Sequence, residues 1–139
     1  MDAGMLTPAH FNQKQQGSLP GELGVQVTAV DEVGIAATME ITPRHMAPNG
    51  FLHAASVVTL ADSCCGYGCM SRLPEGAIGF TTIELKSNHL GTAREGSIEC
   101  RATPVHLGRT THVWDATVTA NGKTIALFRC TQMILRPKS

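Results

Sequence analysis

Apolar and polar residues alternate along two short stretches in the first third of the chain. Residues 25–29 and 33–39 carry an apolar or small residue at every second position, a period typical of strands with one buried face. Asp31-Glu32 lies between them, where a turn is expected. The two stretches predict a β-hairpin. The polar segment before it, residues 1–20, predicts a loose arm with one helical turn.

Residues 53–70 show a different pattern. Apolar residues recur there at steps of three and four positions, and no proline follows until Pro74, so this segment predicts a helix. Gly66 and Gly68 weaken its last turn. The helix is apolar around most of its circumference, and we therefore expect the rest of the fold to bury it.

The chain after this helix predicts strands. Four segments with alternating apolar residues cover residues 79–90, 96–105, 109–120 and 123–136. Asn121-Gly122, between the last two, is typical of a type I′ hairpin turn. The proline-containing residues 41–50 predict a loop. A hairpin followed by an antiparallel meander, wrapped around one long helix, is the α+β architecture called the hotdog fold, which we expect for residues 21–139.

Charge is balanced, with 11 basic and 11 acidic residues among 139. The chain lacks the basic excess that holds a phosphate backbone, which argues against a nucleic-acid binder, and low self-repulsion favours an oligomer. No apolar run approaches the roughly 20 residues of a membrane span. Residues 1–16 lack the basic flank and apolar stretch of a signal peptide. We therefore predict a cytoplasmic protein that binds neither nucleic acid nor membrane.

The five cysteines are odd in number and form no CxxC pair, and three of them lie in the predicted helix. Free cysteine packs as a small hydrophobic residue, so buried reduced thiols are expected. Closely spaced pairs of metal ligands are missing, and no metal site is predicted.

Asp62 is the only formal charge between His53 and Ser71. A carboxylate in an apolar helix is prepared for general-base or nucleophilic work if it is partly buried, because burial raises its pKa. The alternative is a carboxylate at the edge of the apolar stripe that faces solvent or caps a neighbouring loop. The sequence pattern leaves both open.

The start of the helix is a second candidate. Ala54 and Ala55 are small, so the first backbone N–H groups can stay accessible and, with the helix dipole, can polarise a carbonyl. A plain helix-forming role for these alanines is the alternative. Ala54 and Asp62 are eight positions apart, about 12 Å along a helix axis. One carbonyl group cannot touch both in one subunit, so a site that uses both requires at least a dimer.

The segment from His53-Ala54-Ala55 to Leu60-Ala61-Asp62, preceded by Pro48-Asn49-Gly50, resembles the HGG-x(5)-LA-[DE] signature of the PaaI-type hotdog thioesterases. This group includes phenylacetyl-CoA and 4-hydroxybenzoyl-CoA thioesterases. The resemblance covers residues 20–136, and residues 82–88 and 91–93 resemble the strand that follows the signature.

The resemblance implies roles for several positions. Asp62 corresponds to the catalytic carboxylate, acting as nucleophile or as base for water. Ala54 corresponds to the first glycine of the signature, whose N–H polarises the thioester carbonyl. Thr82, with Thr81 as its near rival, corresponds to a residue that orients water.

The chain departs from the family pattern in two respects. Alanines replace both glycines, and Ala47 stands where many members carry Asn or Gln. The expected substrate-binding positions are Asn49, Gly50, His53, Ala55, Thr81 and Arg109.

The other histidines and three cations are weaker candidates. His53 is expected to hold the junction between loop and helix. The histidines interpreted as isolated surface residues are His45, His89, His106 and His112. The cations that could meet the phosphates of coenzyme A are Lys86, Arg94 and Arg109, with plain solvation as the alternative for each.

The resemblance implies an acyl-CoA thioesterase that works as a homodimer or homotetramer without a metal or redox cofactor. Aryl, arylacetyl and short-to-medium acyl groups all remain open as substrates, with an acyl pocket partly lined near Phe51 and Phe80. A non-catalytic acyl-CoA binder is one alternative. A hotdog hydratase, with His53 as its one candidate histidine, is another.

Overall fold

The computed structural model describes residues 6–138. Two short helices, α1 and α2, precede a hairpin, one long helix and four further strands. Their bounds are α1 Pro8–Lys14, α2 Leu19–Glu22, β1 Val25–Val30, β2 Ile35–Glu40, α3 Ala54–Ser71, β3 Gly79–His89, β4 Ser97–Leu107, β5 Thr111–Ala120 and β6 Lys123–Leu135. Within residues 6–138, six strands form one antiparallel sheet in the order β1-β2-β4-β5-β6-β3. The predicted hotdog fold is confirmed.

Local turn chemistry explains the β1–β2 and β5–β6 hairpins. The Asp31 carboxylate accepts the N–H groups of Val33 and Gly34, at 2.9 and 3.1 Å, so the turn occupies residues 31–34 and β2 begins only at Ile35. Asn121 and Gly122 both have positive φ, 53° and 78°. A type I′ turn requires this at its two central residues, and the prediction for the last hairpin is confirmed.

The prediction of a simple meander is wrong for β3. This strand pairs with β6 at one edge of the sheet, and β4 crosses to pair with β2. Burial gives the physical reason, since β4 alternates buried and exposed residues in its first half, while β3 has no buried position along its 11 residues. A strand without a buried face belongs at the edge, where α3 does not have to cover it.

Helix α3 lies against the buried face of the sheet. Small residues on the central strands, among them Ala37, Ala102 and Ala116, leave room for the helix to approach closely. Its inner side buries Val57, Leu60, Ala61, Cys64, Cys65 and Cys69. Opposite these, Trp114 and Phe128 complete the core. Within residues 6–138, no helix is long and apolar enough to cross a membrane.

The described part of the N-terminal arm is not loose, contrary to the prediction. The Asn12 amide pairs with the backbone of Val27 on β1, donating to its carbonyl at 3.0 Å and accepting its N–H at 2.7 Å. Phe11 is buried in the core. Residues 1–5 of the predicted arm lie outside the described residues.

Candidate active site

A buried histidine fixes the approach to α3. His45 Nδ1 accepts the N–H of Thr42 at 2.9 Å, so Nε2 carries the proton and donates to the carbonyl of Leu23 at 2.6 Å. The His45 carbonyl accepts the N–H of His53 and the hydroxyl of Ser56, at 3.0 and 2.9 Å. The prediction that His45 is a surface residue is therefore wrong, because the ring joins two segments inside the fold.

The first turn of α3 leaves one backbone donor open. His53 is the N-cap, and its Nδ1 accepts the N–H of Ala55 at 2.9 Å. Within residues 6–138, the N–H of Ala54 has no acceptor, and both alanine side chains are exposed. The positive end of the helix is therefore presented through the Ala54 N–H.

The loop before the helix is ordered by its own side chains. The Asn49 carboxamide oxygen accepts the N–H of Phe51 at 3.1 Å, and Gly50 has a φ of 85°. The guanidinium of Arg94 lies 4.6 Å from the centre of the exposed Phe51 ring, within range of a cation–π interaction. Asn49, Gly50 and Arg94 thus lie at the same end of α3 as Ala54.

Asp62 lies in a cleft between α3 and β3. The cleft has a volume of about 220 Å³ and is lined by Pro20, Asp62, Ser63, Gly66, Tyr67, Met70, Phe80 and Thr82. Partial burial raises the pKa of the Asp62 carboxyl above its ordinary value of 3.8. The carboxylate is thus less well hydrated than one on the surface, which makes it a stronger base.

The structure separates the two candidate threonines. Thr82 lines the Asp62 cleft and pairs with the buried Gln132 on β6. Thr81 pairs with the exposed Met133 and therefore points to the other face of the sheet. A β-bulge follows Thr82 and displaces the ladder beside the cleft. Of the two, Thr82 is the one in the same cleft as Asp62.

Two cations lie outside this cleft. Arg109 is exposed in the β4–β5 turn, where its carbonyl accepts a guanidinium N–H of Arg136 at 2.9 Å. Lys86 on β3 is exposed and lies opposite Arg129 on β6. Phe80 lines the Asp62 cleft, whereas Phe51 lies at the start of α3.

The surface prediction for the remaining histidines holds for His89 and His106 and is wrong for His112. The indole N–H of Trp114 donates to His112 Nδ1 at 3.2 Å. Burial lowers the pKa of His112, with a smaller contribution from His106. Sequence reasoning could not place this ring because its donor is a tryptophan on the same buried face.

Within residues 6–138, all five cysteines are buried free thiols, as predicted. A hydrogen bond with Cys100 and burial raise the pKa of Cys64, and Cys130 acts in the same way on Cys65. No cluster of three His, Cys, Asp or Glu side chains suited to a metal ion is found among the described residues.

Sequence reasoning missed five residues that line the cleft, namely Pro20, Ser63, Gly66, Tyr67 and Met70. Gly66 lies one helical turn beyond Asp62, so its place beside the carboxylate follows from helical spacing. Tyr67 and Met70 extend the same wall, and the spacing gave a weak signal for them. Pro20 had no signal, because it comes from the arm.

Comparison with known proteins gives a consistent result. The family model of the thioesterase superfamily matches residues 49–126. A 1,4-dihydroxy-2-naphthoyl-CoA hydrolase from Escherichia coli is 31% identical over 78% of this chain and 79% of its own length. The crystal structure of a variant of thioesterase PA1618 from Pseudomonas aeruginosa has a TM-score of 0.89 and 30% identity, and covers 94% of both chains.

A third relative is the phenylacetic acid degradation protein PaaI from Thermus thermophilus. A variant of it has a TM-score of 0.76 and 25% identity, covering 84% of this chain and 97% of its own. The match to the family model includes the start of α3, Asp62 and Thr82.

Proposed function

The chain belongs to the thioesterase superfamily and is a thioester hydrolase of the hotdog fold, and on this basis we propose that it hydrolyses acyl-CoA at a site shared by two subunits. The observation that carries the proposal is the separation of two candidate groups along α3. The open N–H of Ala54 lies at its start, and the partly buried Asp62 lies in a separate cleft, about 12 Å further along the axis.

A second copy of the chain brings the two groups together. If two α3 helices pack antiparallel, the Ala54 end of one faces Asp62 of the other. The edge strand β3 supports such pairing, since its 11 residues have a free edge and its exposed side chains include Ile83 and Leu85, 54% and 45% exposed. An exposed apolar edge strand is a surface for pairing with another chain. We therefore propose a dimer joined along β3 and α3.

The proposed reaction uses groups on both subunits. The carbonyl oxygen of the thioester accepts the Ala54 N–H of one subunit, which stabilises the developing oxyanion. Asp62 of the other subunit either removes a proton from the water that attacks the carbonyl carbon, or attacks that carbon itself and forms a mixed anhydride that water then hydrolyses. In both routes the carbon–sulfur bond breaks, coenzyme A takes up a proton and leaves as its thiol, and the acyl group becomes a carboxylic acid. Thr82, beside Asp62, orients the water.

The cleft supports an aromatic or short-to-medium acyl group. Tyr67 and Phe80 provide flat apolar walls, and a volume of about 220 Å³ suits a one- or two-ring acyl group. The relative from Escherichia coli is named as a hydrolase of an aromatic acyl-CoA, and the one from Thermus thermophilus as a protein of phenylacetic acid degradation. We propose that Arg94, near the start of α3, meets a phosphate of coenzyme A. The dimer of dimers, the cytoplasmic location and a role for Arg109 remain predictions.

A non-catalytic acyl-CoA binder is the second candidate, favoured by the alanines at positions 54 and 55 and by Ala47. Thiol release from a panel of acyl-CoA thioesters, measured for wild type and Asp62→Asn, separates the two. We expect the variant to lose at least about a hundredfold in kcat, because it lacks the base or nucleophile. Binding of acyl-CoA without thiol release by a folded wild type would favour the binder.

Ala54→Pro tests the oxyanion site, because it removes a backbone N–H that has no acceptor. Proline suits the first helical position, and His53 already has the extended backbone, φ −69° and ψ 135°, that a following proline requires. We expect kcat to fall by about a hundredfold or more at an unchanged Tm. The control is Ala54→Gly, which keeps the N–H and should stay active.

Mixing the two inactive variants tests the shared site. A heterodimer of Asp62→Asn and Ala54→Pro subunits contains one intact site and one doubly damaged site. Random re-association of subunits should therefore restore about a quarter of the wild-type activity. A mixture that re-associates but stays inactive would place both groups of a working site in the same subunit.

A further inference from the structure

The described part of the N-terminal arm, residues 6–20, contributes directly to the Asp62 cleft. Pro20 of α2 lies on the cleft wall with Tyr67 and Phe80. The arm therefore does more than cover the core, since one of its side chains faces the space that we assign to the acyl group.

The arm also fixes the position of Tyr67. The rings of Phe11 and Tyr67 are stacked, with centroids 4.4 Å apart and planes at 20°. The Tyr67 hydroxyl donates to the Gln15 carboxamide oxygen at 2.6 Å. Burial, with a smaller contribution from Cys64, raises the pKa of Tyr67 to about 12. The phenol therefore keeps its proton, and the hydrogen bond persists over the working pH range.

Gln15 is itself held on several sides. It is 5% exposed, and its amide nitrogen donates to the carbonyl of Val25 at the start of β1. Its backbone carbonyl accepts the Ser18 hydroxyl at 2.6 Å. A Cβ on Gly21 would lie 2.2 Å from the same carbonyl, so α2 packs tightly on Gln15. A displacement of Gln15 would thus affect both Tyr67 and the segment that carries Pro20.

From this geometry we propose that the arm sets the upper size limit of the acyl group, through Pro20 as a wall and through Phe11 and Gln15 as positioning residues for Tyr67. The inference rests on the proposed function, because it assigns the cleft to the acyl part of the substrate. A shift in acyl preference is its signature, and a merely structural role of the arm would not produce one.

The test compares kcat/KM for benzoyl-CoA and 2-naphthoyl-CoA, which differ by one fused ring. In Pro20→Ala, we expect the naphthoyl-to-benzoyl ratio to rise about tenfold, the scale on which a pocket discriminates one or two methylene groups. In Tyr67→Phe, which keeps the ring and frees it from Gln15, we expect a rise of about fivefold. The control is Leu19→Ala, the exposed neighbour of Pro20 outside the cleft, whose ratio should equal that of wild type.

A double-mutant cycle tests whether Gln15 acts through Tyr67. Gln15→Met should raise the ratio by as much as Tyr67→Phe, and the double variant should show no further rise. A further rise would show that Gln15 does not act through the Tyr67 hydroxyl. Tm measurements establish that each variant is folded.

The outcomes separate the two proposals. An active wild type whose ratio stays unchanged in both Pro20→Ala and Tyr67→Phe overturns the role of the arm and leaves the thioesterase standing. A rise in either variant, absent from Leu19→Ala, supports the role of the arm. A folded wild type that releases no thiol from any thioester overturns both.

Discussion

The partial burial of Asp62 is expected to favour activity and to lower the stability of the fold. Its cleft raises the pKa of the carboxyl by removing water from around it. The deprotonated form is the one proposed to react, so kcat/KM should fall as the pH falls through this raised pKa. The same desolvation makes the charged form unfavourable in the folded chain.

The sign of the stability effect follows from linkage between protonation and folding. The folded chain binds the Asp62 proton more tightly than the unfolded chain. The resulting contribution to stability is complete below the unfolded pKa and is lost as the pH rises through the folded pKa. At neutral pH the carboxylate therefore opposes folding.

Asp62→Asn should accordingly raise the Tm at pH 7 while abolishing turnover, because the amide has no charge to desolvate. The gain should shrink towards about pH 4, where the wild-type carboxyl becomes protonated. Thermal unfolding across this pH range measures the effect, with Glu40→Gln on the exposed end of β2 as control. A lower Tm for Asp62→Asn at pH 7 would show that the carboxylate stabilises the fold.

Residue-level prediction succeeded where the signal was local. The place of Asp62 on the helix follows from its spacing to neighbouring apolar residues, and the role of His53 at the junction from its position before Ala54. His45 and His112 could not be placed, because their partners come from backbone carbonyls or from a tryptophan indole whose position depends on the whole fold.

At the scale of elements, the glycines in the last turns of α3 have a packing role that the sequence did not show. A Cβ on Gly68 would lie 2.5 to 2.8 Å from the ring of the fully buried Trp114. A Cβ on Gly66 would meet the end of the Phe80 ring at 3.1 Å, beside the cleft. Gly68 therefore lets the helix close on the sheet at its bulkiest side chain.

Gly68→Ala should destabilise the fold although alanine is the better helix former. The propensity gain is about 1 kcal/mol, whereas overpacking a rigid core costs about 1–3 kcal/mol or more. We expect a lower Tm in thermal unfolding, and a smaller change for Gly66→Ala, whose neighbour can shift towards the cleft. A Tm for Gly68→Ala equal to or above that of wild type would contradict this account.

The extents of α3 and the later strands followed from periodicity, but the neighbours of the strands did not. A period of two identifies a strand and its buried face but does not show which strand pairs with it. The predicted meander therefore placed β3 next to β4. The prediction of a loose arm was wrong for a similar reason, since the contacts that hold the arm, such as the hydrogen bonds of Asn12 with Val27, join residues far apart in sequence.

At the scale of the whole molecule, the proposed dimer makes activity depend on association. Leu85 pairs with the buried Cys130 and therefore lies on the helix side of β3, where α3 of the same chain leaves it 45% exposed. This is the surface that we expect the partner to cover.

Leu85→Lys should weaken the dimer at least about tenfold and lower activity at dilute concentration, because it places a charge in an apolar contact. Met133→Lys is the matched control, since Met133 is 44% exposed on the opposite face of β6. Analytical ultracentrifugation and activity over a dilution series measure both. A monomeric wild type with full activity would disprove the shared site.

Because its five cysteines are buried, we expect the folded chain not to react with thiol reagents. All lie in the contact between helix and sheet, and burial raises the pKa of Cys69 to about 12. We expect alkylation to require separation of α3 from the sheet, so the rate of labelling measures the rate of core opening. Mass spectrometry can follow this rate by counting the adducts on each chain. For the same reason, a thiol reagent can measure the coenzyme A released in a single turnover, because the buried cysteines of the folded enzyme contribute no background signal.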